Sequence, residues 1–307
     1  SQYGPAAQLE RYDSFSEMLD TFYTRRDRAE QQRRRSHDLT KTVRTLRDRQ
    51  QRKLAAQREE LRRTEGREDI RHQAELVTAN IYRLRRGDRS LECEDYYDPA
   101  CPVVHIELDP LKTPQQNAAA LYKEYNKLKA AEQHLTVLTC EGERQLDYLN
   151  SVLDELERAE TDRDLSDIRR ELTETGYIRA RKGGKAERVK PQSPLKFVSD
   201  DGLEILAGRS NAQNDELTLK LARRTDYWLH TQRVHGSHVI IRCEGEEPPP
   251  RTLEQAAGIA AYYSQARGAG KVQVDYTMVR NVRKPSGALP GKVIYTDHKT
   301  MLAESDG

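Results

Sequence analysis

The stretch from Asp226 to Arg242 gathers the groups from which an active site is usually built. It holds the only tryptophan, Trp228, and three of the eight histidines, His230, His235 and His238, with Ser237 among them. It reads as a strand, a turn at Gly236-Ser237 and a second strand. Metal binding is the first chemistry to weigh. His230 and His238 could face one another across the turn, but no Cys or carboxylate spacing completes a tetrahedral zinc set, so no metal is expected. Cys93, Cys101 and His105 do no better. Nucleophilic catalysis is the second. Ser237 and His238 are adjacent, and adjacent strand residues point to opposite faces. There is no G-x-S-x-G elbow and no P-loop. Asp226 with His230 would serve equally as an acid–base pair or as a structural hydrogen bond. No catalytic residue is therefore assigned.

Nucleic-acid binding is the third. Arg209, Asn211, Asn214, Arg223, Arg224, Arg233, Arg267, Arg280, Arg283, Lys284 and Lys292 supply donors for phosphates. Trp228, Tyr227, His230 and His235 supply faces on which unpaired bases stack. For Trp228 alone, burial in a core is the better reading. Taken together the set favours an RNA-contacting surface, with Asp226, Gly236, Ser237 and His238 shaping it.

These residues need elements to position them. Residues 195–307 read as a compact α/β domain. Its strands are expected at Leu195–Val198, Leu203–Ala207, Tyr227–Thr231, His238–Cys243, Val272–Val279 and Lys292–Tyr295. Its helices are expected at Ala212–Ala222 and Thr252–Arg267, with Leu253, Ala257, Ala260 and Ala261 facing inward. Charge balances here, with 15 basic and 14 acidic residues.

Upstream, the periodicity changes. Residues 14–64 read as one helix, with Phe15, Met18, Phe22, Ala29, Leu39, Val43, Leu46, Leu54 and Leu61 along a narrow seam and no Pro or Gly to break it. At ~1.5 Å per residue it would be about 75 Å long. Residues 114–160 carry a second seam of Leu121, Tyr125, Leu128, Leu135, Leu146, Leu149, Leu153 and Leu156. The span Arg25–Lys53 has net charge +8 and Pro114–Glu160 has −4. Opposite charge beside the seams favours pairing as an antiparallel coiled-coil hairpin. Arg33, Arg34 and Arg35 remain as excess positive charge on the first arm. Between the arms, residues 66–113 read as a small α+β tip: a helix over 68–86, then strands Leu91–Asp95 and Val103–Leu108. Arg83, Arg85, Arg86 and Arg89 are expected at its exposed end. A basic Gly-Gly tether at 179–194 joins hairpin to domain. The fold class is thus α+β: a hairpin over residues 1–178 with its tip, the linker, and the domain over 195–307.

Hydrophobic content of 36% against 33% charged is low for one large globule. Four cysteines without a C-x-x-C pair favour a reduced, cytoplasmic protein. There is no run apolar enough to span a bilayer and no signal-peptide pattern. A polar start without Met reads as part of something longer.

Several motifs, in order, resemble the NFACT family and its bacterial members, long labelled fibronectin-binding proteins. Asp226-Tyr-Trp-Leu-His230, Gly236-Ser-His-Val-Ile240, Gly208-Arg-Ser-Asn-Ala-Gln-Asn214, Val274-Asp-Tyr-Thr-Met-Val-Arg280 and Lys284-Pro-Ser-Gly-Ala-Leu-Pro-Gly291 are similar to its NFACT-R domain. Leu76-Val-Thr-Ala-Asn-Ile-Tyr82, Tyr96-Tyr-Asp-Pro99 and Tyr125-Asn-Lys-Leu-Lys129 resemble its coiled-coil and tip region. The family's N-terminal domain and helix-hairpin-helix segment find no counterpart, which implies a C-terminal half. The resemblance implies a ribosome-associated quality control factor. Such a factor binds large ribosomal subunits obstructed by peptidyl-tRNA, through rRNA and stalk-base protein. It recruits alanyl-tRNA for template-free alanine tailing of the stalled chain. The ribosome makes the peptide bond, so neither enzyme activity nor a cofactor is expected. A surface fibronectin-binding adhesin is the alternative, and a hydrolase built on Asp226, His230 and His238 a third reading.

Overall fold

The computed structural model describes residues 15–179 and 192–305. In chain order the elements are α1 (Phe15–Arg62), α2 (Arg67–Ala79), β1 (Ser90–Glu94), β2 (Val103–Glu107), α3 (Pro114–Arg158), α4 (Asp162–Glu174), β3 (Leu195–Val198), β4 (Glu204–Ala207), α5 (Asn211–Glu216), β5 (Tyr227–Thr231), β6 (Val239–Ile241), α6 (Pro250–Tyr262), β7 (Lys271–Met278), β8 (Val282–Arg283), β9 (Ile294–Tyr295) and β10 (Lys299–Glu304). The fold is α+β, with two long helices. The tether expected at 179–194 lies, over residues 180–191, outside the described residues, as do the side chains of Phe15, Met18, Phe22 and Ala29.

Contacts divide the chain into two compact units. One runs from Arg49 to Leu146. In it α1 and α3 run antiparallel: Gln50 Nε2 donates to the Gly142 carbonyl at 3.1 Å, and Arg67 pairs with Glu132 at 2.6 Å. Gly142 sits inside α3 for a packing reason. A Cβ there would lie 3.2 Å from both Gln50 and the buried Leu54. β1 and β2 pair antiparallel with Leu91 opposite Ile106 and Cys93 opposite Val104. Alternation sends Leu91, Cys93 and Ile106 inward onto Leu76, Val77 and Ala118. The helix expected over 68–86 ends at Ala79 and is followed by a single 3-10 turn at Ile81–Arg83.

The other unit holds the described residues up to Asp48 and those from Asp147 onward. The base of the hairpin therefore packs in the same unit as the C-terminal domain. The base is a three-helix core: Leu39 and Val43 of α1, Leu149, Val152 and Leu156 of α3, and Leu165, Ile168 and Leu172 of α4. α4 was not expected. Thr161 and Asp164 form a full capping box at its start.

The domain is built on a six-stranded antiparallel sheet of order β10-β7-β5-β6-β4-β3, with β8 and β9 paired as a separate two-stranded sheet. α6 covers one face, and its Ala256, Ala257, Ala260 and Ala261, all buried, bring it close to Leu229, Val239 and Ile241. The helix expected to reach Arg267 stops at Tyr262, because the Tyr263 carbonyl accepts from Ser237 N at 3.0 Å and Ser264 bridges Gly236. The helix expected over Ala212–Ala222 is α helix only to Glu216 and a π turn over Leu217–Leu221. That wider turn lets consecutive Leu217 and Thr218 both be buried. The strands expected at His238–Cys243 and Lys292–Tyr295 shorten to β6 and β9, and edge strand β10 was not expected.

Candidate nucleic-acid interface

β5 is the central strand between β6 and β7, and its alternation sorts the candidate residues. Tyr227, Leu229 and Thr231 face α6; Trp228 and His230 face the opposite side. Trp228 is wholly buried among Leu217, Ile240, Val279 and Val282. Its ring lies 4.8 Å from Tyr295 and stacks on His230 at 5.7 Å, and His238 meets it edge-on at 5.3 Å. It offers no face to an incoming base. His238 Nδ1 lies 2.7 Å from Thr218 Oγ1, and its backbone N–H donates to Asn214 Oδ1 at 3.0 Å. Burial, then the neighbouring His230, holds its imidazole well below the ordinary histidine value. Burial and His235 hold the half-buried His230 at about 4. Both rings are neutral near pH 7. Ser237 is buried and donates to the Gly208 carbonyl at 2.6 Å, so its hydroxyl is a structural donor rather than a nucleophile.

The Gly208–Asn214 motif forms a joint with the helical base. Gly208 is required there, since a Cβ would fall 2.1 Å from Asn214 Oδ1. Ser210 caps α5 by accepting from Gln213 N. The next two orphan amides are taken by carboxylates from other helices. Asn211 N donates to Glu155, and Ala212 N to Glu171 Oε2 at 2.8 Å. Asn211 Nδ2 donates to Ser151 Oγ at 2.8 Å, and Tyr148 donates its hydroxyl to Glu171 at 2.8 Å. Arg158 donates to the Tyr263 carbonyl at 2.8 Å and pairs with Asp154. Burial raises both Glu155 and Glu171 above the ordinary carboxylate range. Arg209 turns toward Asp164 at 3.8 Å. Thus Asn211, Asn214, Ser237, His238 and Gly236, whose Cβ would meet Thr231 and Ser264, sit in packing and in the joint rather than on an open surface. Sequence reasoning missed Ser151, Glu155, Arg158 and Glu171.

The exposed candidates lie elsewhere on the domain. Buried Asp226 accepts from Arg223 N at 2.8 Å, from Arg242 at 2.9 Å and from Cys243 N at 3.2 Å. It thereby fixes the Arg223-Arg224 turn. Arg280 N donates to the Arg224 carbonyl at 3.2 Å, which ties the segment Val279–Arg283 beside that turn. Arg223, Arg224, Arg280 and Arg283 are all exposed, and none forms an ion pair with a described residue. Lys284, by contrast, pairs with Asp215, and Lys292 pairs with Asp147. Arg233 is exposed in a left-handed turn at φ 62°. On α1, Arg33 is exposed without an ion pair among the described residues, Arg34 pairs with Glu30, and Arg35 lies 3.6 Å from Asp162. In the other unit Arg85 and Arg86 are exposed. No group of three His, Cys, Asp or Glu among the described residues is placed to hold a metal, and no helix among them is long and apolar enough to cross a membrane.

The antiparallel sheet that carries these exposed arginines packs on the helical base, and the comparisons give its family. The chain belongs to the NFACT family: residues 2–191 match its N-terminal and middle domains, and residues 194–297 match the NFACT protein RNA binding domain. Among curated proteins it is similar to the Rqc2 homolog RqcH of Bacillus subtilis (strain 168), 38% identical over 304 residues, which cover 97% of this chain and 52% of that protein. The Rqc2 homolog RqcH of Streptococcus suis is 37% identical over 94% of this chain and 52% of that protein. A Drosophila melanogaster protein, the ribosome quality control complex subunit NEMF homolog, is 23% identical over 86% of this chain and 30% of its own. The chain spans about half the length of the bacterial relatives. Among solved structures, the C-terminal part of the fibronectin/fibrinogen-binding protein from Streptococcus suis superposes with a TM-score of 0.71 at 33% identity, over 89% of this chain and 94% of that one.

Proposed function

We propose that this chain supplies the ribosome- and RNA-binding parts of a cytoplasmic ribosome quality control factor. The observation that carries the reading is the set of four exposed arginines without ion-pair partners among the described residues, on the domain matched as RNA-binding. Relatives named for ribosome quality control support it. In the full reading the protein engages large ribosomal subunits obstructed by peptidyl-tRNA, through rRNA and stalk-base protein. It recruits alanyl-tRNA so that alanine is added to the stalled chain without a template. The ribosome performs peptide transfer, so this chain acts by binding and positioning, without enzyme chemistry of its own. Phosphate neutralisation by Lys and Arg makes such binding strongly salt-dependent. The test is co-sedimentation with large subunits at low and high salt. Loss of binding at high salt is expected; binding indifferent to salt contradicts the reading.

A second reading, a fibronectin-binding adhesin, is favoured by one observation, the match to the Streptococcus suis fibronectin/fibrinogen-binding protein. Release of the protein from intact cells by surface protease would support it over the first.

A further inference from the structure

We propose that the arginine edge of the C-terminal domain binds double-helical RNA through its phosphates and does not read unpaired bases. The inference rests on the RNA-binding reading above and specifies the form of the RNA. Two observations carry it. The first is the cation array itself. Arg223 and Arg224 on one turn, and Arg280 and Arg283 on the adjoining segment, are held by the Arg280–Arg224 backbone bond, by Val279 N donating to the Asp226 carbonyl at 2.9 Å, and by the Asp226 carboxylate. Val279 and Val282 pack into the same core as Leu217 and Trp228, so the array stands on rigid backbone. Four guanidiniums rooted on one tied stretch of backbone suit a partner that presents many phosphates close together, as a double helix does.

The second is what the face lacks. Proteins that bind single strands combine charge with aromatic platforms on which bases stack. Here the rings are engaged inward. Trp228 and Tyr227 are buried, and Tyr295 packs on Trp228 and His298 while its hydroxyl donates to Asp275 at 2.7 Å. His298 is the exposed ring next to Tyr295. Apart from His298, a single strand would therefore gain charge contacts alone, whereas a duplex has the higher charge density. The major groove of A-form RNA is too deep and narrow for side chains to reach base edges, so recognition would be independent of sequence. The competing partner is an anionic bilayer, because Leu219 and Leu221, each 43% exposed, flank Lys220 beside the turn.

The test uses the whole chain and four probes: an RNA duplex of about two helical turns, a scrambled duplex, an unstructured single strand of equal length, and phosphatidylglycerol vesicles. Both duplexes are expected to bind alike and at least tenfold tighter than the single strand. For four phosphate contacts the plot of log affinity against log salt should have a slope of about −3 to −4, and each Arg→Gln change at the four positions should reduce it by roughly one. The quadruple variant should lose at least tenfold in duplex affinity with an unchanged melting temperature, and His298→Ala should change nothing. Single-strand binding as tight as duplex, loss on His298→Ala, an unaffected quadruple variant, or tighter binding to vesicles would each overturn the proposal while leaving RNA binding open. Failure of every RNA probe to bind would overturn the RNA-binding reading itself.

Discussion

Gly208 and His238 show how residue chemistry that resembles a reaction centre serves packing instead. A methyl group on Gly208 would drive into Asn214, whose side chain bridges His238 N and the Gly236 carbonyl. Gly208→Ala is expected to destabilise the domain by about 2–3 kcal/mol, since it overpacks a buried hydrogen-bond hub; urea unfolding measures it. The histidines yield a second prediction. His230 and His238 have folded-state values below the unfolded value near 6.5, so each carries a stability contribution that is present above that pH and lost as pH falls toward the folded value. Unfolding free energy should therefore drop from about pH 6.5 down toward pH 4, by an amount on the order of 3 kcal/mol for His230 alone. Groups near them that also bear on the profile are His235, Asp275 and Lys284. A flat profile across that window would contradict the burial assigned to both rings. None of this was visible from spacing. A Ser-His pair at a turn has the same sequence whether its side chains face solvent or a neighbouring main chain.

At the level of elements, the most regular segments were read best. The seams of α1 and α3 recur over many turns, and Leu39, Val43, Leu149 and Leu156 are buried where the repeat places them. Short elements that depend on tertiary partners were missed. α4 was signalled only by its Thr161–Asp164 box, and β10 by weak alternation around Met301 and Ala303. The joint was illegible for a sharper reason. Glu155 and Glu171 look like solvated positions on polar helices, and only the approach of the α5 amides gives them partners. The joint has a pH signature opposite to that of the histidines. Both carboxyls have folded values raised above the unfolded value, so their contribution is fully present below the ordinary carboxylate range and is lost as pH rises through the raised values. Glu155→Gln keeps an acceptor for Asn211 N but cannot ionise. Relative to the parent, this variant should gain stability progressively over the range above about pH 5, read as the difference in melting temperature at each pH. A difference that stays constant across that range would mean the carboxyl is not held protonated by its surroundings.

For the whole molecule, net charge is a poor guide, because 52 Lys and Arg nearly cancel 50 Asp and Glu. What matters is where exposed cations lack partners among the described residues or hold only exposed ones: the Arg223–Arg283 edge, Arg33 to Arg35 on α1, and Arg85 and Arg86 in the other unit. The pairs of Arg34 with Glu30 and Arg35 with Asp162 are exposed, so they hold those side chains by at most about 1 kcal/mol and yield to phosphate. All three α1 arginines are therefore available to a polyanion. If a large ribosomal subunit engages the α1 patch and the domain edge at once, losses from the two should add in free energy, because the two sets share no ion-pair partner among the described residues. By the inference above, a short RNA duplex engages the domain edge. Charge reversal of Arg33, Arg34 and Arg35 should then weaken subunit binding by at least tenfold yet leave short-duplex binding near the parent value. Glutamine at Arg223, Arg224, Arg280 and Arg283 should weaken both. Combining the two sets should multiply the subunit losses. A combined variant no weaker on subunits than the worse single set would mean that one patch alone makes the contact, and the α1 arginines would revert to a solvated helix face.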